Sequence, residues 1–328
     1  MKAVYARSCD LLLRMGRWGR GLVALLLGVA LFSPAAWASL DIPVGTHSVV
    51  FQDGRGRPDR PITVFTHRPA PCVAAACPIL VVMHGNTRNA AAYRDHWVPW
   101  ADTLGLMVLA PEFNRRDWPG SRSYNQGDMA AQADPAMWSY SVVEHLFDAV
   151  RTTQTHYLIF GHSAGAQFVH RLLMALPNNR ARLAMIANAG WYTLPEWREG
   201  RAAYPWPHSL LRARVGEAGA AALLRKPVWL LLGESDTGTR DADLDQAPGS
   251  QAQGPNRLSR GLYYLDQVQG LARELQSPWP WTLIRVPGVG HDAKGMTDAA
   301  ARGLSGSCSG KGLVNGSESL AIQPVWGW

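Results

Sequence analysis

Seven short segments are apolar nearly throughout: residues 62–65, 79–83, 107–110, 157–160, 183–187, 228–232 and 282–286. Each is followed closely by Gly, Pro, Asn or Glu. A run without polar alternation predicts a strand covered on both faces, since a half-exposed strand alternates apolar and polar positions. Between the runs the period changes. Residues 137–152, 166–176 and 258–275 carry apolar side chains at helical spacing. Buried strands alternating with helices predict one α/β domain over residues 39–302, built on a doubly wound, mostly parallel sheet. No internal repeat is visible.

Two connections are much longer than ordinary strand–helix loops. Residues 111–136 follow the run at 107–110, and residues 191–226 follow the run at 183–187. The second contains Trp191, Tyr192, Trp197, Tyr204 and Trp206, punctuated by Pro195, Pro205 and Pro207. Long connections at strand ends commonly build a substrate pocket or a lid. Trp191 and Tyr192, nearest the strand, are therefore candidate substrate contacts, although such aromatics could equally pack the connection's own core. Residues 303–328 are rich in Gly and Ser and are expected to be a flexible tail.

One stretch places chemistry at a strand end. The run at 157–160 leads into Gly161-His162-Ser163-Ala164-Gly165, and a helical pattern follows at once. This fits G-x-S-x-G, the nucleophile elbow. A tight turn lifts the serine Oγ out of the sheet, where a base can reach it. Side chains two residues to either side would obstruct the bend, so glycines stand there. The following helix directs its N-terminal N–H groups and its dipole at the same place, so the Ala164 N–H is a candidate oxyanion donor. Chance supplies about 0.2 such pentapeptides in a chain this long. The position between strand and helix therefore carries the assignment.

A serine hydroxyl needs a base. With the elbow, the expected chain order is Ser, then Asp or Glu, then His. His170, His208 and His291 follow Ser163, and the first two precede the run at 228–232 where the acid is expected. His291, in PGVGHDAKGM, is thus the candidate base. After residue 232 the chain reads GESDTG, and Asp236 is the favoured acid, with Glu234, Asp241, Asp243 and Asp245 as alternatives. The carboxylate would accept the imidazole N–H and fix the tautomer. The run at 79–83 leads into His84-Gly85-Asn86, and a close backbone approach at Gly85 makes the Asn86 N–H the second candidate oxyanion donor. His84 is expected to be structural.

The formal charge of +7 invites a nucleic-acid reading, but residues 1–38 alone carry Lys2, Arg7, Arg14, Arg17 and Arg20 against Asp10. The remaining basic residues are scattered, which excludes a nucleic-acid footprint. The N-terminal segment reads instead as an export signal. A basic region ends at Arg20, an apolar stretch follows at residues 22–32, and Ala36-Trp37-Ala38 supplies a cleavage pattern. That stretch is short of the ~20 residues of a membrane span. The mature chain is expected from about Ser39, in a periplasmic or secreted setting and without membrane attachment. Cys9 would leave with the signal. Cys72 and Cys77 could then close a small disulfide loop worth about 2 kcal/mol, leaving Cys308 unpaired. Their spacing is not that of a zinc site, and no metal is expected.

Five features recur in a family order: MHG after an early strand, APEF after the next, then GHSAG, GESDTG and VGH. Over residues 45–300 the chain resembles the α/β-hydrolase superfamily. The longer matches, GHSAGAQFVHR and GESDTG through AQGPNR, resemble secreted esterases related to poly(3-hydroxybutyrate) depolymerases and feruloyl esterases. The resemblance implies an eight-stranded, mostly parallel sheet, in which residues 183–187 form the sixth strand and 191–226 a lid-like insertion after it. It further implies acyl-enzyme chemistry on small or oligomeric esters, no cofactor, and Ser163, Asp236 and His291 as the triad. No separate polymer-binding module is visible. Two rivals remain open at this point: a serine peptidase or acyltransferase on the same fold, and an exported binding protein that uses its Trp-rich insertion to hold a ligand.

Overall fold

The computed structural model describes residues 39–73 and 76–308. The expected signal segment, Cys9 and residues 309–328 lie outside the described residues. Eight strands form one sheet: β1 (Gly45–Phe51), β2 (Ile62–Arg68), β3 (Ile79–Met83), β4 (Met107–Glu112), β5 (Tyr157–His162), β6 (Ala181–Ala187), β7 (Val228–Gly233) and β8 (Trp281–Val286). Their spatial order is β1-β2-β4-β3-β5-β6-β7-β8. β2 pairs antiparallel with both β1 and β4, and the remaining pairs are parallel. The helices are α1 (Ala90–Leu104), α2 (Gly120–Ser123), α3 (Ser141–Val150), α4 (Ala164–Ala175), α5 (Gly216–Arg225), α6 (Pro248–Gln251), α7 (Arg257–Glu274) and α8 (Ala293–Cys308).

The apolar runs are explained by what covers them. In β3, Ile79, Val81 and Met83 face a core shared with Phe147 of α3, Leu172 of α4, Leu223 of α5 and Val268 of α7. Leu80 and Val82 face the other core, with Trp97 of α1 and Met296 and Leu304 of α8. Every side chain of this strand is buried, so no position tolerates a polar residue. β1 lies at the sheet edge and is mostly exposed, with Thr46, His47 and Ser48 in its sequence, which is why no apolar run announces it.

Chain order reverses at the centre of the sheet. β3 leads outward to β4, whereas β5 leads to β6, β7 and β8 on the other side. Such a reversal leaves a crevice beyond the carboxyl ends of the two central strands. Met83 pairs with Gly161 at that end, so the β3 loop and the Gly161–Gly165 turn open into the same crevice.

Two expectations about the connections need adjustment. Within residues 191–226, the last part is α5, which buries Ala220, Leu223 and Leu224 against the core. Helix α8 takes in residues 303–308, so these are not part of a flexible tail. Cys72 and Cys77 are joined by a disulfide, with their Cα atoms 5.5 Å apart.

Candidate functional site

Ser163 sits between β5 and α4 with φ 59° and ψ −120°, a conformation seldom adopted by a side-chain-bearing residue. Its backbone N–H reaches Ala187 O on β6 at 3.0 Å and its carbonyl accepts from Gln167 N–H at 3.1 Å, so strand and helix hold the turn from both sides. The two flanking glycines are sterically required. A Cβ on Gly161 would stand 2.3 Å from Gly165 O, and one on Gly165 would stand 2.0 Å from Met83 O.

The structure brings Ser163, His291 and Asp236 into one hydrogen-bonded series although 128 residues separate the first two. His291 Nε2 lies 3.0 Å from Ser163 Oγ. His291 Nδ1 lies 2.8 Å from Asp236 Oδ2. The carboxylate can only accept, so Nδ1 carries the hydrogen and Nε2 is free to accept from the hydroxyl. Asp236 is 2 % exposed, whereas Ser163 and His291 reach solvent in part.

The other candidate acids are occupied elsewhere. Glu234 pairs with Arg285 at 2.8 Å. Asp241 and Asp243 pair with Arg257 at 2.5 and 2.6 Å. Asp245 accepts from the Ala247 N–H at 2.9 Å. Arg257, 1 % exposed, also stands 3.5 Å from Asp236 Oδ1 and so ties the acid to the loop that follows it. Sequence reasoning gave Arg257 no role; the signal was its place at the end of the AQGPNR match.

The two segments that carry the candidate oxyanion donors are adjacent. A Cβ built on Gly85 lies 3.7 Å from Ser163 Cβ, which brings the β3 loop against the serine. Ala164 is the first residue of α4, so its N–H lies outside the intrahelical ladder. Asn86 is exposed, and its carbonyl accepts from Arg115 Nη2 at 2.7 Å. Beneath the loop, His84 is fully buried. Its Nδ1 donates to Gly85 O at 2.9 Å and its Nε2 accepts from the Phe113 N–H at 3.0 Å. Burial pushes its pKa down to about 3. A neutral imidazole bonded at both nitrogens braces the loop and has no capacity left as a base.

His162 also lies against the series, its ring centroid 4.7 Å from that of His291. Burial, and then the neighbouring His291, hold it well below the ordinary imidazole value. Its Nδ1 meets Tyr93 Oη from α1 at 2.9 Å. A charged ring here would oppose an imidazolium on His291; a neutral one does not.

Both aromatic candidates are buried, Trp191 at 7 % exposure and Tyr192 at 0 %. Trp191 is held by Gln167, one turn beyond Ser163 on α4. With the amide oxygen accepting, it takes the Trp191 backbone N–H at 3.3 Å and the indole N–H at 3.1 Å. The Arg171 guanidinium lies 4.3 Å from the Trp191 ring. Tyr192 is fully buried and stacks on Tyr264 of α7 at 4.4 Å, so it supports the site from inside and offers no surface to a ligand. Among the described residues, no group of three or more His, Cys, Asp or Glu is disposed to hold a metal.

No protein-family model matches the chain. No curated protein matches it either. Solved structures do. The poly(aspartic acid) hydrolase-1 of Sphingomonas sp. KT-1 is 34 % identical, with a TM-score of 0.73 over 80 % of this chain and 98 % of that one. The poly(3-hydroxybutyrate) depolymerase LpqC of Bordetella parapertussis is 35 % identical, with a TM-score of 0.74 over 80 % of this chain and 89 % of that one. An S-formylglutathione hydrolase of Agrobacterium tumefaciens, at 15 % identity and a TM-score of 0.51 over 80 % and 95 % of the two chains, shares the fold. With its eight-stranded sheet, its strand–turn–helix at Ser163 and likeness over 80 % of its length to two hydrolases of 34 and 35 % identity, the chain belongs to the α/β-hydrolase superfamily and is an esterase-like serine hydrolase.

Proposed function

We propose that the protein is an exported carboxylic ester hydrolase working through Ser163, His291 and Asp236 and an acyl-enzyme intermediate. The observation that carries this reading is the pair of contacts made by His291, 3.0 Å to Ser163 Oγ and 2.8 Å to Asp236 Oδ2. Oγ attacks the ester carbonyl carbon while Nε2 takes its proton. The imidazolium so formed is stabilised by buried Asp236 and returns the proton to the leaving alkoxide. Water then repeats the sequence on the acyl-enzyme. The developing oxyanion is met by the Ala164 N–H at the positive end of α4 and by the Asn86 N–H.

Export is supported by the signal pattern in residues 1–38 and by the Cys72–Cys77 bridge, which suits an oxidising compartment. Likeness to a poly(aspartic acid) hydrolase favours one second reading, cleavage of an amide-linked acidic polymer. Esters and amides each pass through a tetrahedral oxyanion whose leaving group, alkoxide or amine, takes its proton from His291, so turnover decides between them.

The test is a panel of p-nitrophenyl esters, 3-hydroxybutyrate oligomers and aspartate oligomers on the chain from residue 39, together with a fluorophosphonate probe. Ester turnover and labelling at Ser163 are expected. Ser163→Ala should lose on the order of 10⁶-fold in kcat while staying folded. Full activity in that variant overturns the reading, and turnover confined to aspartate oligomers selects the second.

A further inference from the structure

Asn188 directly follows β6. It is 1 % exposed, adopts φ 46°, and lies beyond the carboxyl end of the sheet beside β7. Its backbone N–H reaches Leu231 O at 3.1 Å. Its side chain then contacts both loops that carry the series. Oδ1 accepts from the Gly233 N–H at 2.8 Å, three residues before Asp236. Nδ2 donates to Gly290 O at 2.9 Å, immediately before His291.

The surrounding bonds make this a closed frame. Asp236 N–H reaches Gly233 O at 3.1 Å, and Ser235 N–H reaches Val289 O at 2.9 Å. A Cβ on Gly233 would stand 2.5 Å from Val289 O and 3.0 Å from Asn188 Nδ2. The loops are therefore packed at a spacing that only glycine permits, with the Asn188 amide set between them. An amide suits the place because it offers one acceptor and two donors on a short, planar group. A carboxylate would set an oxygen against Gly290 O, and a hydroxyl is too short to span both bonds. Asparagine also tolerates positive φ.

We infer that Asn188 is a positioning residue for hydrolysis, fixing the separation of Asp236 and His291 by joining their loops. This rests on the proposed roles of those two residues. Without the tie, the carboxylate and imidazole drift apart, and the imidazolium is stabilised less when it forms.

The test is Asn188→Gly, which removes both side-chain bonds and accepts the backbone conformation. The expected result is a kcat lower by roughly 10- to 100-fold, with KM within about twofold. In an Asp236→Asn background the same substitution should cost less than about twofold, since the contact it protects is already gone. A folded Asn188→Gly enzyme with unchanged kcat overturns the proposal, and so does a loss that stays additive with Asp236→Asn. If the glycine variant does not fold, Asn188→Asp, which keeps the acceptor for Gly233 and loses the donor to Gly290, is judged by the same kcat loss and the same non-additivity. An active Ser163→Ala enzyme would instead remove the catalytic reading beneath the proposal.

Discussion

Replacing glycine by alanine within a helix should have opposite effects in α4 and α7. Helical propensity alone favours alanine by at most about 1 kcal/mol. At Gly270 of α7 nothing lies within 4 Å of an added Cβ, so propensity decides and Gly270→Ala should stabilise. For a domain of this size the gain corresponds to a rise in Tm of about 2–4 °C. At Gly165 of α4 the Cβ would lie 2.0 Å from Met83 O, 2.6 Å from Met83 C and 2.8 Å from His84 O, all backbone atoms that no rotamer change can move. Reaching even the 3.4 Å of ordinary contact requires α4 and β3 to separate by about 1.4 Å. Overpacking a close-packed core costs about 3 kcal/mol. The net effect of Gly165→Ala is then a loss of about 2 kcal/mol and a fall in Tm of about 4–8 °C. The same displacement opens the gap between the Ala164 N–H and the β3 loop, and a misplacement of about 1 Å at a reacting centre costs on the order of 10²-fold in rate. Thermal unfolding of both variants and kcat on a p-nitrophenyl ester are the measurements. A Gly165→Ala protein with the stability and activity of the parent would refute the close approach of α4 to β3. A destabilised Gly270→Ala protein would refute the propensity argument.

Asp236→Asn should leave the protein folded and lower kcat by ~10⁴-fold through loss of the correct tautomer, while Glu234→Gln, whose partner is the half-exposed Arg285, should change it little; the reverse outcome would move the acid to Glu234. Burial holds His84 at about 3, and His162 and His170 well below the ordinary value. Bases whose pKa falls on folding contribute stability above the unfolded value of about 6.5, and it is lost as the pH drops toward the folded one. Urea unfolding should therefore show stability falling between about pH 6.5 and pH 5, where carboxylates are still largely ionised; a flat curve there contradicts the neutral buried imidazoles. Thiol titration of the denatured chain from residue 39, without reductant, should give one free thiol, Cys308, because Cys72 and Cys77 are bridged; three would contradict the bridge.

The sequence by itself determined the central strands, because strands covered on both faces leave no place for polar residues and so write unbroken apolar runs. It also determined the turn at Ser163, whose close backbone approach demands glycines at fixed offsets within one local stretch. Elements with weaker local signals escaped it. The edge strand β1 is polar because solvent reaches it, α1 contains Pro99, and α8 is built largely from Ala, Gly and Ser. The choice among Glu234, Asp236, Asp241, Asp243 and Asp245 needed the fold, since all lie in one short segment and differ only in what meets them: Arg285 takes the first, Arg257 binds Asp241 and Asp243, and His291 meets Asp236. Tyr192 looked like a ligand contact beside Trp191, yet its ring found Tyr264 on α7 and became core. Asn188 carried no signal at all. Its partners Gly233 and Gly290 come within reach only because β6, β7 and β8 lie side by side, a proximity created by strand pairing across the sheet and invisible to any reading along the chain.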